Sequence, residues 1–276
     1  MLVTVVVPLY RGKKYIESKI KMFEQAFYKA GIVDKAEVLF INDYPEETIT
    51  LPEAKISVRL LTNEKNQGIQ RSRIRGVLES QADYIHFLDQ DDEIREDFYL
   101  ENLRISEGND VVVSNCVMEL HNSGERVLYR NKLEQKNAKS PMAFIFLDCR
   151  IISPGQCLIR REAIPEFWIQ HPLSKNGTDD YLLWLLMFEN HARFKVNMTP
   201  LYIHKYTGAN LSLNKEAMLS SHEELVRVLE QYPHSRYAKW IRSKVYSMKG
   251  EKKEYSFLFT WLMNLRLLRI RMFEKN

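Results

Sequence analysis

Apolar runs and stretches of helical spacing alternate along the first hundred residues. A continuous apolar run over residues 2–7 predicts a strand that is buried on both faces of a sheet, and further strands are predicted at 37–41, 58–61 and 84–88. Helical spacing predicts helices at 14–30 and 68–80, and Gly31 ends the first of them. Because this order implies right-handed crossovers, we expect an α/β fold with a doubly wound, mostly parallel sheet flanked by helices.

The chain beyond residue 95 is less regular. We expect strands at 110–115 and 156–159, a hairpin over 119–129, and helices at 161–167 and 179–190. From Lys215 the pattern is helical, with interruptions near Pro233 and Gly250. The sequence therefore predicts a main domain over 1–212 and a helical C-terminal extension over 213–276.

Polar residues cluster where the predicted strands end. These residues are Tyr10, Asn42 and Asp43, Asn63 and Asn66, and Asp89 to Asp92. In doubly wound sheets, ligands bind outside the carboxyl ends of the strands. We therefore expect these loops to meet at one edge and to form a binding site.

The segment Asp89-Gln90-Asp91-Asp92 carries the clearest chemistry. Three carboxylates within four residues repel one another, and they stay ionised together only where a cation or strong hydrogen bonds compensate. Mg²⁺ and Mn²⁺ prefer such oxygen ligands and usually keep substrate phosphates as further ligands. The structural alternative is an acidic first turn of a helix.

The context of this segment resembles the D-x-D region of family 2 glycosyltransferases, which have the GT-A fold. Further stretches resemble that family in its expected order, and they are Val5 to Tyr10, Phe40 to Asp43, Asn66 to Gly76, Gly155 to Arg161 and Gly177 to Trp184. The resemblance covers roughly residues 1–212. It implies a nucleotide-binding half over about 1–95 and an acceptor half over about 96–212.

The resemblance implies a nucleotide diphosphate sugar donor, a UDP-sugar first, together with Mn²⁺ or Mg²⁺. The residues that it assigns to the nucleotide are Pro8, Tyr10, Asp43, Asn66, Arg73, Asp89 and Gln90. Those that it assigns to the metal are Asp91, Asp89 and His204. Tyr10 would stack on or border the uracil, Asp43 would accept from the N–H edge of the base, and Arg73 would approach the base or the diphosphate.

The resemblance also implies an inverting mechanism with a carboxylate as general base. Asp180 is the first choice for this base and Asp179 is the alternative. The Q-x-x-R-W motif of processive synthases is absent from the sequence, which favours single additions. The acceptor would be a glycan or a lipid-linked glycan of the bacterial surface.

Some positions depart from the family pattern and leave other functions open. Arg11, Asn42 and the pair Tyr44-Pro45 stand where the family usually has other residues, which puts the uridine preference in question. A non-catalytic nucleotide-binding module is one alternative. A sugar nucleotidyltransferase is another, but it needs a glycine-rich phosphate loop, for which the segment 11–14 is a poor substitute.

Charge limits the class of partner that we expect, and cysteine content indicates the compartment. The net charge of +4 hides a basic tail, because residues 234–276 hold eleven Lys or Arg and three Glu. The remaining body is acidic, so we expect no nucleic-acid groove. Three cysteines without C-x-x-C spacing, and no apparent leader or membrane-spanning run, predict a cytoplasmic protein.

The segment 252–273 places arginines on one face of a predicted helix and apolar residues on another. Two interpretations fit this pattern equally. The helix either lies in a membrane interface at the inner face of the membrane, or it packs on the domain or on the partner in a homodimer.

Overall fold

The computed structural model describes residues 1–120, 124–146, 149–205 and 214–249. Its strands are β1 Val3–Leu9, β2 Ala36–Asn42, β3 Ser57–Thr62, β4 Tyr84–Phe87, β5 Glu93–Ile94, β6 Val111–Leu120, β7 Gly124–Val127, β8 Cys157–Arg160 and β9 Phe194–Lys205. Its helices are α1 Ile16–Ala30, α2 Ile69–Glu79, α3 Phe98–Arg104, α4 Lys132–Asn137, α5 Pro141–Phe146, α6 Glu166–Gln170, α7 Asp179–Glu189, α8 Lys215–Leu229 and α9 Ala238–Met248.

The described strands form one mixed sheet with the order β3-β2-β1-β4-β8-β6-β9-β5, and β7 pairs with β6. Strands β1 to β4 pair with one another in parallel, as predicted. Strand β8 is antiparallel to both of its neighbours, whereas β6 and β9 are again parallel. The predicted α/β class is confirmed, and its parallel character is concentrated in the first half of the chain.

The side chains of β1 alternate between two apolar layers. Val5 and Val7 join the layer that contains Phe23 and Phe27 of α1, whereas Val6 joins the opposite layer. This alternation is the two-residue period of a strand, and it explains why the whole run is apolar. Helix α2 lies directly on β1, because a Cβ atom at Gly76 would come within 2.3 Å of Val6.

The predicted end of α1 is confirmed. Gly31 has a φ of 66°, and its N–H donates to the last carbonyl groups of the helix, as in a left-handed C-cap. The helix predicted at 161–167 is wrong in extent. A 3₁₀ turn over Arg161–Ala163 comes first, and α6 begins only after Pro165, because proline fits the start of a helix but not its interior.

Helices α8 and α9 pack on the main domain. Leu225, Leu229 and Ile241 are completely buried in the layer that also contains Trp184. Glu189, at the end of α7, accepts hydrogen bonds from Ser235 Oγ at 2.8 Å and from Arg236 Nε at 2.9 Å. Within the residues that the structure describes, no helix combines the length and apolarity needed to cross a membrane. The basic segment 252–273 lies outside the described residues.

Candidate active site

Asp89 lies directly beyond β4, at the carboxyl end of the parallel strands. Its Oδ1 accepts from Arg73 Nη2 at 2.5 Å, and its Oδ2 accepts from Ser153 Oγ at 3.2 Å. Arg73 comes from α2 and Ser153 precedes the turn that leads into β8. The first carboxylate of the acidic segment is therefore held by groups from both halves of the chain.

Arg73 links this carboxylate to a second acidic segment. Its Nη1 donates to Asp179 Oδ2 at 2.7 Å, and the side chain is only 4% exposed. Burial opposes the charge of the guanidinium, but Asp89, Asp179 and Asp180 together raise the pKa of Arg73 above its usual value. The Nε atom of Arg73 is buried and has no hydrogen-bond partner.

Asp179 and Asp180 form the first turn of α7. Asp179 is buried, and its carboxylate is engaged by Arg73. Asp180 is only half-buried, and its Oδ1 accepts from the N–H of Tyr181 at 2.7 Å. Burial and the charge of Asp179 raise the pKa of Asp180 to about 7, although Arg73 acts in the opposite direction. A carboxylate with this pKa can accept a proton near neutral pH.

Asp91 is the carboxylate of the acidic segment that is least engaged by the protein. Its side chain is half-buried and accepts no hydrogen bond from another of the described residues. Burial, followed by the charges of Asp92 and Asp89, raises the pKa of Asp91. A divalent cation bound to Asp91 would offset the repulsion from Asp92 and Asp89, and it would give the Asp91 oxygens the partner that they lack among the other described residues. This carboxylate therefore fits a metal ligand.

Asp92 is buried and connects the acidic segment to β9. It accepts hydrogen bonds from Tyr202 Oη and, at 2.9 Å, from the N–H of Lys205. His204 Nδ1 lies 3.1 Å from Asp92 Oδ1. Burial opposes protonation of His204, but the hydrogen bond and charge of Asp92, together with the charges of Asp89 and Asp91, raise the pKa of the imidazole. A carboxylate on one ring nitrogen is the usual support for a histidine that binds a metal through the other nitrogen.

The described residues contain no cluster of three or more His, Cys, Asp or Glu that is ready to hold a metal ion. This arrangement still fits Mg²⁺ or Mn²⁺, which are often bound by one or two carboxylates together with substrate phosphates. Asp91 is the candidate ligand with the fewest protein contacts, and His204 is held through Nδ1 by Asp92. Asp89 is already bonded to Arg73 and Ser153.

The loop after β1 is held by Gln90. Its Oε1 accepts from the N–H of Tyr10 at 3.0 Å, and its Nε2 donates to the carbonyl of Tyr10 at 3.3 Å. Tyr10 stays 46% exposed, and its ring meets Tyr44 edge-on, with centroids 5.4 Å apart. The guanidinium of Arg11 lies 4.9 Å from the centre of the Tyr44 ring. Residues that depart from the family pattern thus surround Tyr10.

Asp43 organises the loop between β3 and α2. Its carboxylate accepts from Asn63 Nδ2 at 2.7 Å and from the N–H groups of Gln67 and Gly68, both at 2.8 Å. Asp43 is buried, and both of its carboxylate oxygens accept hydrogen bonds within the protein. Its contact with a base stays a prediction. Asn66 is exposed in the same loop, whereas Pro8 is buried within β1.

Three residues with a clear place in the site were missed in the sequence. They are Lys19, whose Nζ donates to the carbonyl of Asp92, Ser153 beside Asp89, and Tyr202 beside Asp92. Tyr202 stands two residues before His204, which puts both on one side of a strand. The two-residue spacing from His204 could have indicated Tyr202, but only if the strand that carries both residues had been recognised. Lys19 and Ser153 carry no local signal.

A protein-family model described as Glycosyl transferase family 2 matches residues 4–168. No curated protein matches the sequence. Among solved structures, the chain is similar to S. aureus TarS 1-349 in complex with UDP-GlcNAc, with a TM-score of 0.63, 15% identity and coverage of 90% of this chain and 72% of that chain. It is also similar to the mannosyltransferase PcManGT from Pyrobaculum calidifontis in complex with GDP-Man and Mn²⁺, with a TM-score of 0.61, 14% identity and coverage of 88% and 69%. These likenesses agree with a GT-A-like fold.

Proposed function

The chain belongs to glycosyl transferase family 2, and we propose that it is a metal-dependent, inverting enzyme that transfers a sugar from a nucleoside diphosphate donor to an acceptor hydroxyl. The donor that we expect first is a UDP-sugar. The acceptor is a glycan or lipid-linked glycan of a bacterial surface polysaccharide.

One observation carries this proposal. Arg73 donates to Asp89 at 2.5 Å and to Asp179 at 2.7 Å, so it joins the acidic segment after β4 to the acidic turn of α7. The first segment suits the diphosphate and its cation. The second offers a proton acceptor with a pKa of about 7 in Asp180. A transferase needs these two functions side by side.

In the proposed reaction the acceptor oxygen attacks the anomeric carbon of the donor sugar. The bond between that carbon and the phosphate oxygen breaks, and the proton of the acceptor hydroxyl passes to Asp180. No bond to the protein forms, so the configuration at the anomeric carbon is inverted. Asp179 stays paired with Arg73, which leaves Asp180 to take the proton.

Mn²⁺ or Mg²⁺ would be held by Asp91, with His204 and Asp89 as the further candidate ligands. When bound, such an ion offsets the charge that develops on the leaving diphosphate. Asp92 orients His204, and Gln90 fixes the backbone of Tyr10, whose exposed ring is available to the nucleobase. The remaining nucleotide contacts that we propose come from Asn66 and the loop that Asp43 holds.

The experiment that tests this function is a panel of nucleotide sugars, including UDP-GlcNAc and GDP-mannose, assayed for release of the nucleoside diphosphate with and without manganese. Asp180→Asn should suppress the release while binding of the nucleoside diphosphate persists. Asp83→Asn is the matched control, because Asp83 is an exposed aspartate outside the site. Nucleotide binding without any turnover, in wild type as in Asp180→Asn, would instead indicate a non-catalytic nucleotide-binding module.

We also propose that the segment 252–273 holds the enzyme at the inner face of the membrane. Each Lys or Arg near an anionic surface contributes about 1 kcal/mol, and salt weakens this attraction. Co-sedimentation with anionic vesicles should therefore fall with salt, and it should be lost when Arg266, Arg269 and Arg271 are replaced by glutamine. Equal sedimentation of the variant would leave packing on the domain or on a homodimer partner as the role of this segment.

A further inference from the structure

Residues 174–178, here called the base loop, lead directly into Asp179 and Asp180. Glu224 of α8 holds the start of this loop with both of its carboxylate oxygens. Oε1 accepts from the N–H of Ser174 and Oε2 from the N–H of Lys175, each at 2.8 Å. Hydrogen bonds to a charged acceptor are among the stronger ones in proteins.

A second contact from the same helix holds the end of the base loop. Thr178, which precedes the first turn of α7, lies with its Oγ1 2.7 Å from Ser221 Oγ and donates to the carbonyl of Ser221 at 3.1 Å. Both side chains are buried. Ser221 and Glu224 are three residues apart on α8, so they lie on one face of the helix. One face of α8 therefore fixes both ends of the base loop.

Glu224 is an ionised acceptor in this position. Partial burial alone would raise its pKa, but the hydrogen bonds from Ser174 and Lys175 outweigh burial and lower it. The neighbouring Glu223 has a different partner, because it forms an ion pair with Lys249. Of these two adjacent glutamates, Glu224 contacts the base loop, whereas Glu223 contacts Lys249, the last described residue.

The base loop also touches the loop that Asp43 organises. A Cβ atom at Gly68 would lie 3.0 Å from Asn176 Oδ1, so the two loops pack closely. Gly68 has a φ of 88°, and its N–H donates to Asp43. The base loop is therefore bounded by α8 at its ends and by the loop after β3 at Asn176.

We propose that Glu224 is a positioning residue for the transfer reaction, which sets the place of Asp180 through the base loop. The inference rests on the proposed function, since it requires Asp180 to be the base. It extends the catalytic machinery into α8, beyond the segment that matches the family model. Errors of about 1 Å in the position of a reacting group can cost about 100-fold in rate.

The test uses the full chain with Glu224→Ala, Glu224→Gln and the control Glu223→Ala. Each protein is assayed with UDP-GlcNAc and GDP-mannose in manganese chloride for kcat and KM, for the Kd of UDP and GDP, and for amide hydrogen exchange at Ser174 and Lys175. We expect Glu224→Ala to lower kcat by about 10–100-fold and to speed exchange at both amides. Its Kd values and those of Glu223→Ala should match wild type. Glu224→Gln keeps one acceptor oxygen, so its kcat and its exchange rates at Ser174 and Lys175 should fall between those of Glu224→Ala and wild type.

Two outcomes would overturn the inference. Faster exchange in Glu224→Ala with a wild-type kcat would show that the base loop is tethered without any consequence for the reaction. Equal losses of kcat in Glu224→Ala and Glu223→Ala would show that α8 acts only through stability. Failure of the proposed function is distinguishable, because wild type itself would then release no nucleoside diphosphate from any donor.

Discussion

Arg73 and Asp179 are 106 residues apart in the sequence, and Arg73 Nη1 donates to Asp179 Oδ2 at 2.7 Å in the interior. The same guanidinium donates to Asp89. Because Asp179 is both buried and engaged, the adjacent half-buried Asp180 is the carboxylate of α7 that remains available for a proton. In the proposed reaction, these two neighbouring aspartates therefore have different roles.

Replacing Arg73 with methionine should lower the free energy of unfolding by about 3–5 kcal/mol, because a buried carboxylate then loses its partner. Urea denaturation at pH 7 measures this change. Arg71→Met is the control, since Arg71 lies on the same helix and is exposed. If both variants unfold at the same urea concentration as wild type, the ion pair contributes nothing to stability.

The rate of transfer should fall as the pH drops below about 7, because Asp180 must be ionised to accept a proton and its pKa is raised to about 7. The acidic limb of kcat/KM against pH measures this dependence. Asp180→Asn should lower kcat by about 10²–10⁴-fold at pH 8, with the Kd of the nucleoside diphosphate nearly unchanged. A larger loss in Asp179→Asn would move the base by one residue.

Asp91→Asn should abolish the manganese dependence of nucleotide binding. A catalytic metal supplies several kcal/mol of charge stabilisation, so transfer should fall by about 100-fold or more. Titration of UDP and GDP by calorimetry, with and without manganese, gives a readout that is independent of turnover. Full activity of wild type in excess chelator would contradict the metal assignment.

The stability of the protein should decrease between pH 6.5 and pH 4 because of His86. Burial lowers the pKa of His86 from 6.5 to about 4, so the unfolded chain binds a proton that the folded protein excludes. The stabilisation is complete above pH 6.5 and declines by roughly 3 kcal/mol as the pH falls to 4. Unfolding of wild type and His86→Gln should converge towards pH 4. Parallel pH curves for the two proteins would be inconsistent with this assignment.

The strands and helices of residues 1–95 could be predicted because their signals are local. The apolar runs of β1 and β2 correspond to strands with every residue buried, and Gly31 ends α1 as expected. Strand β9 was missed because its pattern is broken by Pro200. That residue lies where β6 and β9 change register at Asn115, so an irregular pairing accommodates it.

The residues of the candidate site also differ in whether a local motif or only the folded structure identifies them. The acidic segment and Asp180 stand in recognisable motifs, so they could be named from the sequence. Arg73 was expected near the base or the diphosphate, and its contact with Asp179 depends on two helices that meet only in the fold. The contacts of Asp92 with Tyr202 and His204 likewise require β9 to lie beside β5.

The packing of α8 and α9 has a consequence for recombining such enzymes. A chimaera of this chain with a related one would have to take α7, α8 and α9 from one parent as a single block. The carboxylate of Glu189 takes donors from residues 235–237, and Glu224 takes donors from the base loop, so a crossover at residue 212 would separate both acceptors from their donors. A crossover between β8 and α6 leaves both sets of contacts inside one parent.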